Sequence, residues 1–187
     1  MNTLKTTAII VFATFTASVE AQEQTVNTSE SKVVWKGYKV AGSHEGTIKI
    51  ESGTLQFNGE QLTGGEFVMD MTSINTTDLE GEYKDQLDGH LKSDDFFGVD
   101  NHPTAKLVFT KVTPSGKNAY DIQGSLTIKG ITNPISFTLS VYGSKATVKL
   151  KIDRSQYNVR YGSKSFFNNL KDKAIYDEFD IVADLQF

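Results

Sequence analysis

The chain has 187 residues and no cysteine. That absence removes thiolate nucleophiles, cysteine-ligated zinc and disulfide staples, so one hydrophobic core must hold the fold together. Histidine is scarce: His44, His90 and His102 are all there is. Neither an H-E-x-x-H helix nor an EF-hand loop occurs, so no familiar metal motif is present. A G-x-S-x-G nucleophile turn is missing too. Ser115-Gly116-Lys117 lacks the rest of a phosphate-binding loop and reads as a hairpin turn. No basic block exists, and a net charge of −4 with both signs interspersed argues against a nucleic-acid partner. Asn27 and Asn75 match N-x-[ST], a pattern too common to establish glycosylation.

Long apolar runs are also lacking, with one exception at the N-terminus. There Lys5 precedes an apolar stretch from Ala8 to Ala17, and Val19-Glu20-Ala21 follows with small or apolar residues at the −3 and −1 places. A membrane span needs about 20 apolar residues, and this run is much shorter. The pattern predicts a secretory signal peptide, residues 1–21, cut after Ala21. The protein is then expected in the periplasm or outside the cell, with no stable membrane insertion. Residues 22–30 are polar and read as a mobile lead-in. Residues 31–187 are of a length for one domain.

What fills that domain is period-two alternation. Val33 and Trp35 alternate with Val34 and Lys36; Phe67, Met69 and Met71 with Glu66, Val68 and Asp70. Ile135, Phe137, Leu139 and Val141 oppose Ser136, Thr138 and Ser140. Ala146 to Ile152 and Phe179 to Phe187 repeat the pattern. Such alternation marks strands with one apolar and one wet face. The separators are short: Glu51-Ser52-Gly53, Asn58-Gly59-Glu60, Pro114 to Lys117, Asn133-Pro134 and Gly143-Ser144. Short breaks favour antiparallel hairpins. The expected fold is all-β with short helices: an antiparallel, lipocalin-like barrel of about eight strands, closed so that no edge is left open.

Two segments interrupt the alternation. Tyr83, Leu87 and Leu91 stand at i, i+4 and i+8, predicting an amphipathic helix over 78–91 capped by Thr77 or Asp78. Ser93 is placed to cap one further turn holding Phe96 and Phe97. Gly162 to Leu170 repeats this in miniature, with Phe166-Phe167, and is expected to be a second helical insert.

The stretch HLKSDDFFGVDNHP, residues 90–103, raises a choice. His90, Asp94, Asp95, Asp100 and His102 suggest a cation site. Asp94 and Asp95, however, follow the Ser93 cap, where negative charge is favoured. The same stretch carries an aromatic pair. Of the 12 phenylalanines, four stand in the two FF pairs. An eight-stranded barrel is just wide enough to be filled by side chains or to hold one slender ligand. Composition leaves both open. Asp153-Arg154, ahead of Tyr157, ends a strand; a bidentate pairing of Arg154 with a carboxylate is the default reading, and contact with a ligand head group the alternative.

Three motifs together resemble one known family. They are His90-Leu91 with Asp95-Phe96-Phe97, Pro103 and the alternating Ala105 to Phe109; Gly124 to Pro134 (GSLTIKGITNP); and Ile152-Asp153-Arg154 followed by Tyr157. The sequence looks like the YceI-like family of lipocalin-like exported proteins associated with polyisoprenoid binding, over 31–187. It departs from many members at Lys39, where they have histidine. The resemblance implies a barrel around an apolar tunnel and a prenylated or acylated lipid as ligand; on the residues themselves no metal is expected, and no cofactor besides the lipid. Trp35, Phe67, Met69, Met71, Leu107, Phe109, Phe137, Leu139 and Ile152 would form the tunnel wall. Leu87, Leu91, Phe96, Phe97, Phe166 and Phe167 would line or close its mouth, with Lys39, Asp153, Arg154 and Tyr157 near a head group. The function this implies is carriage of one lipid without chemistry. The alternatives are an enzyme acting on such a lipid, and a partner-binding barrel with a filled core. A homodimer is compatible with each.

Overall fold

The structure, a computed structural model, describes residues 22–187. The expected signal peptide, 1–21, lies outside the described residues. In chain order the elements are β1 (Gln22–Thr25), β2 (Lys32–Lys39), β3 (Gly42–Asn58), β4 (Gln61–Thr76), α1 (Gly81–Lys92), β5 (Thr104–Gly116), β6 (Ala119–Ile128), β7 (Ile131–Tyr142), β8 (Lys145–Asp153) and β9 (Glu178–Gln186). From β2 onward each strand pairs antiparallel with the next, and β9 pairs back onto β2. The result is a closed eight-stranded up-and-down barrel. Closure follows from the alternation: the apolar parity of every strand turns inward, and the last strand supplies the partner that the first would otherwise lack.

Residues 22–30 are not a free lead-in. The 17-residue β3 outruns β2, which pairs with it only from Gly42 to Thr47. β1 takes the remaining edge at Thr54–Phe57, and Val26 behind it is buried. Two expected separators also lie inside strands. Glu51-Ser52-Gly53 is part of β3: Glu51 falls in a bulge between Ile50 and Ser52, and Ser52 and Gly53 pair with Val68 and Phe67. Asn133-Pro134 is part of β7, and the turn before it is Lys129-Gly130, both at positive φ. Pro134 is tolerated because β8 pairs only with Leu139–Tyr142, leaving Pro134 beside β6 alone.

The helical expectations are corrected at three points. α1 starts at Gly81, after Glu80, because Thr77 and Asp78 are engaged elsewhere. The Thr77 hydroxyl donates to the Glu45 carbonyl at 3.3 Å, and Asp78 meets His44 Nδ1 at 3.0 Å. Ser93 ends α1 and does not N-cap the turn that follows: its N–H donates to the carbonyls of Gly89 and His90, and its hydroxyl to the His90 carbonyl at 2.8 Å. Phe96 and Phe97 sit in the tight turn that follows, closed by Gly98 N–H on the Ser93 carbonyl at 2.8 Å. The Phe166-Phe167 segment is no helix. The N–H groups of both phenylalanines go to one carbonyl, that of Ser163, and only Lys171–Lys173 forms a short 3-10 turn.

Chain direction sorts the connections. The β2–β3 turn, α1 with the 93–103 turn, the β6–β7 turn and the long β8–β9 loop all leave from one end. The other end carries only the hairpins β3–β4, β5–β6 and β7–β8 with the chain entry and exit. The first will be called the top, the second the floor.

Candidate functional site

The interior differs between the two ends. At the floor Leu55, Leu62 and Ile122 are at most 1% exposed, and Phe57 stacks on Phe187 with ring centroids 5.7 Å apart. Above them the side chains do not meet. They leave a cavity of about 200 Å³ with an almost wholly apolar lining.

All nine residues expected in the wall line this cavity: Trp35 from β2, Phe67, Met69 and Met71 from β4, Leu107 and Phe109 from β5, Phe137 and Leu139 from β7, and Ile152 from β8. They share the inward parity of their strands. Phe67, Phe109 and Phe137 form an aromatic arc across β4, β5 and β7, with successive centroids 5.8 Å apart. The Trp35 indole N–H is buried without a hydrogen-bond partner among the described residues.

The roof holds three of the six expected mouth residues. Leu91, Phe96 and Phe97 are buried and line the cavity, the two rings meeting edge to face at 5.1 Å. Leu87 packs on the core outside the lining. Phe166 and Phe167 do not reach it. They are 39% and 48% exposed, because the irregular β8–β9 loop turns them outward.

The four expected head-group contacts divide. Arg154 lines the cavity yet is 2% exposed, and each of its three nitrogens has a partner. Nε donates to the Tyr176 carbonyl at 3.1 Å, Nη1 to Val159 at 2.9 Å and Nη2 to Ile175 at 3.1 Å. The bidentate carboxylate partner is thus replaced by backbone carbonyls, with Asp177 at 3.5 Å as counter-ion. Burial draws the guanidinium pKa down, against the pull of Asp177 and Asp153. Asp153 accepts from Ser155 N–H at 2.9 Å and from its hydroxyl at 2.6 Å. Burial alone would raise its carboxyl; those two bonds, with Gln156 and the charge of Arg154, outweigh burial and hold it below the ordinary value. Tyr157 is buried, which raises its phenol, and stands outside the lining. Lys39 is exposed at the end of β2, bridged through its backbone to Ile175.

The acids and histidines of residues 90–103 do not converge. The His90 ring lies against Phe96 at 5.6 Å and Tyr161 at 4.2 Å. Asp94 accepts from Asn101 at 3.3 Å, and its carbonyl takes Lys129 Nζ at 2.7 Å. Among the described residues no three His, Asp or Glu side chains group as a cation site would require.

Sequence reasoning missed Ile175 and Tyr176, which line the cavity from the β8–β9 loop. Tyr176 is half exposed, so the lining reaches solvent there, at the top. The signal available was slight: Ala174-Ile175-Tyr176 is a short apolar run in a polar loop. A seam was missed as well. The ladder between β7 and β8 stops at Leu139–Val148. Above it Ile135, Phe137 and Leu150 face the cavity half buried. Among the described residues no helix is long and apolar enough to cross a membrane.

Comparison with known proteins sets this geometry in context. The family model described as YceI-like domain matches residues 24–187. A UPF0312 protein of Pseudomonas putida is 30% identical over 98 residues, 52% of this chain and 49% of that protein. One from Pseudomonas aeruginosa is 37% identical over 71 residues, 38% of this chain and 36% of that protein. These alignments thus span half or less of each curated relative. Among solved structures, Burkholderia cenocepacia BcnA superposes with a TM-score of 0.70 at 24% identity, covering 86% of this chain and 98% of that one. A polyisoprenoid binding domain from Saccharophagus degradans, implicated in plant cell wall breakdown, gives 0.59 at 15% identity, covering 86% and 95%. At these identities the structural likeness speaks for the fold.

Proposed function

This chain belongs to the YceI-like family, and on that premise we propose that it is an exported carrier that holds one isoprenoid or similar long-chain lipid, tail inward, in the upper half of the barrel. The observation that carries this reading is the cavity. A void in a protein core costs roughly 24 cal/mol per Å³, so about 200 Å³ left empty would cost about 5 kcal/mol. A domain's whole stability is about 5–15 kcal/mol. Water is a poor filler, since a water molecule needs two to four polar partners and the walls offer almost none. A hydrocarbon tail fits: each buried methylene contributes about 0.8 kcal/mol before binding costs. The Saccharophagus neighbour, described as polyisoprenoid binding, supports a prenyl tail in particular, as in an isoprenoid quinone or polyprenyl lipid.

Carriage is favoured over chemistry because Asp153 and Arg154 are engaged in holding the loop together. Export to the periplasm or beyond is part of the proposal and rests on the composition of residues 1–21. The test is organic extraction of the purified protein followed by mass spectrometry. A prenyl or acyl lipid near one per chain, returned unchanged in mass after incubation, is the expected result. Protein that is lipid-free as purified and takes up no prenyl lipid in vitro would overturn the reading.

A further inference from the structure

The cavity opens onto an unusual face. Among the described residues eight large apolar or aromatic side chains are exposed, and five of them lie together on two of the top connections: Val40, Tyr161, Phe166, Phe167 and Tyr176. Val40 belongs to the β2–β3 turn, the others to the β8–β9 loop, and Val40 N–H donates to the Ala174 carbonyl at 3.2 Å. Turn and loop therefore form one surface.

That surface is basic, although the chain as a whole carries −4. The β8–β9 loop, residues 154–177, holds Arg160, Lys164, Lys171 and Lys173 besides the buried Arg154, against the two acids Asp172 and Asp177, of which Asp177 is the counter-ion of Arg154. Among the described residues none of these four cations is in an ion pair. Asp94 and Asp95 border the same face, opposite Lys129, Arg160 and Lys173, and leave the balance positive. Arg160 lies over the Phe166 ring at 5.0 Å, so charge and aromatic surface are presented together.

The loop is anchored at its ends and free at its tip. Ile175 N–H donates to the Gly162 carbonyl at 2.8 Å, Tyr176 N–H to the Tyr38 carbonyl at 2.8 Å, and the Ser165 hydroxyl to Asp177 at 2.6 Å. Between these ties Phe166 and Phe167 point outward. Such a set of rings and cations is what a membrane interface accepts: tyrosines at headgroup depth, phenylalanines buried below it, and cations against anionic headgroups.

We propose that this face, the β8–β9 loop with the β2–β3 turn, docks the protein onto an anionic lipid bilayer and brings the cavity mouth at Tyr176 against it. The proposal rests on the carrier reading for its purpose, but the surface can be tested without it. The protein as its host produces it is floated with vesicles of pure phosphatidylcholine and with vesicles of equal parts phosphatidylcholine and phosphatidylglycerol. Wild type floats with the phosphatidylglycerol vesicles, and added salt weakens the binding. The pair Lys171→Glu with Lys173→Glu lowers vesicle partitioning roughly tenfold or more. The pair Phe166→Ser with Phe167→Ser weakens it on both vesicle types. All four sites are exposed, and melting curves identify any variant that misfolds.

Wild type that stays soluble with both vesicle types would overturn the proposal and leave the patch to a protein partner. Variants that float like wild type would overturn it too. So would a dimer dissolved by the same substitutions, which would give the patch to a second copy of this chain. Lipid in the extract without flotation sinks the docking surface alone. Flotation without any extractable lipid sinks the carrier reading alone.

Discussion

The Arg154 guanidinium lies 5.2 Å from the centroid of the Phe96 ring. The contact joins the turn after α1 to the loop after β8, at the roof of the cavity. Arg154 also gathers three carbonyls of its own loop, so one side chain sets both the shape of the roof and the position of the opening.

Arg154→Met should therefore destabilise the fold. It leaves the carbonyls of Val159, Ile175 and Tyr176 without donors, and a buried unsatisfied group costs about 1–3 kcal/mol. A loss of roughly 3 kcal/mol or more is expected in urea denaturation. Lysine cannot span the same fork of acceptors, so Arg154→Lys should recover little of it. A lysine variant as stable as wild type would show that charge, not geometry, is what the site needs.

Trp35 is the one tryptophan in the chain, and it lines the cavity. Its emission should report occupancy directly. Delipidated protein titrated with a prenyl alcohol is expected to change Trp35 emission and saturate near one lipid per chain, and a prenyl quinone is expected to quench it. A spectrum indifferent to both ligands would speak against a tail passing Trp35.

Floor and upper half should answer differently to truncation. Leu62 is 1% exposed in the packed floor, so Leu62→Ala should cost about 2–5 kcal/mol and leave the bound lipid unchanged. Met69 borders a space already open. Met69→Ala should cost less and alter which lipids are retained. Equal stability losses with no change in lipid would mean the whole interior behaves as filled core.

Gly46 tests the barrel's closure. A Cβ there would stand 2.0 Å from the Asn75 carbonyl oxygen and 2.6 Å from the Trp35 ring. Neither β4 backbone nor a buried indole can retreat far in a packed wall. Gly46→Ala should lower the melting temperature by about ten degrees or more, whereas Gly37→Ala, with nothing within 4 Å, should be mild.

The barrel was legible because period two assigns a face to every residue. Once Phe67 and Met69 share a parity with Met71, they share a wall, whatever the register. Turn positions were less legible. Gly53 and Pro134 look like punctuation, yet Gly53 stands in register opposite Phe67, whose ring a Cβ would meet at 2.8 Å, and the early end of the β7–β8 ladder accommodates Pro134. The two FF pairs read alike in sequence and part in the structure. Phe96-Phe97 follow a helix stopped by Ser93 and fall inward. Phe166-Phe167 follow Gly162 and Ser163 in a loop held by backbone contacts from distant strands, which no local pattern encodes. Arg154 stood out in the sequence as a partner for a carboxylate or a head group, but its partners in the structure are carbonyls, and carbonyls are invisible to residue type.

Asp88 fastens α1 to the barrel and gives that attachment a pH limit. Its carboxylate accepts the Thr76 backbone N–H at 2.7 Å and pairs with Lys84 one turn earlier. Burial by itself would raise its pKa; the bonds from Lys84 and Thr76 outweigh it and hold it below the ordinary value of 3.8. A carboxyl depressed in the folded state stabilises fully above its unfolded pKa, and that contribution is lost as pH falls through the lower folded value. Asp88→Asn keeps an acceptor for Thr76 and removes the charge. The variant should be less stable than wild type at neutral pH, and the gap should close as pH drops below about 3.8. Asp153 and Asp180 are also held low, so both proteins lose stability in acid, and the difference between them is the quantity to read. Urea denaturation across an acid series measures it. A gap that stays constant through the series would show that Asp88 stabilises α1 by shape and not by its charge.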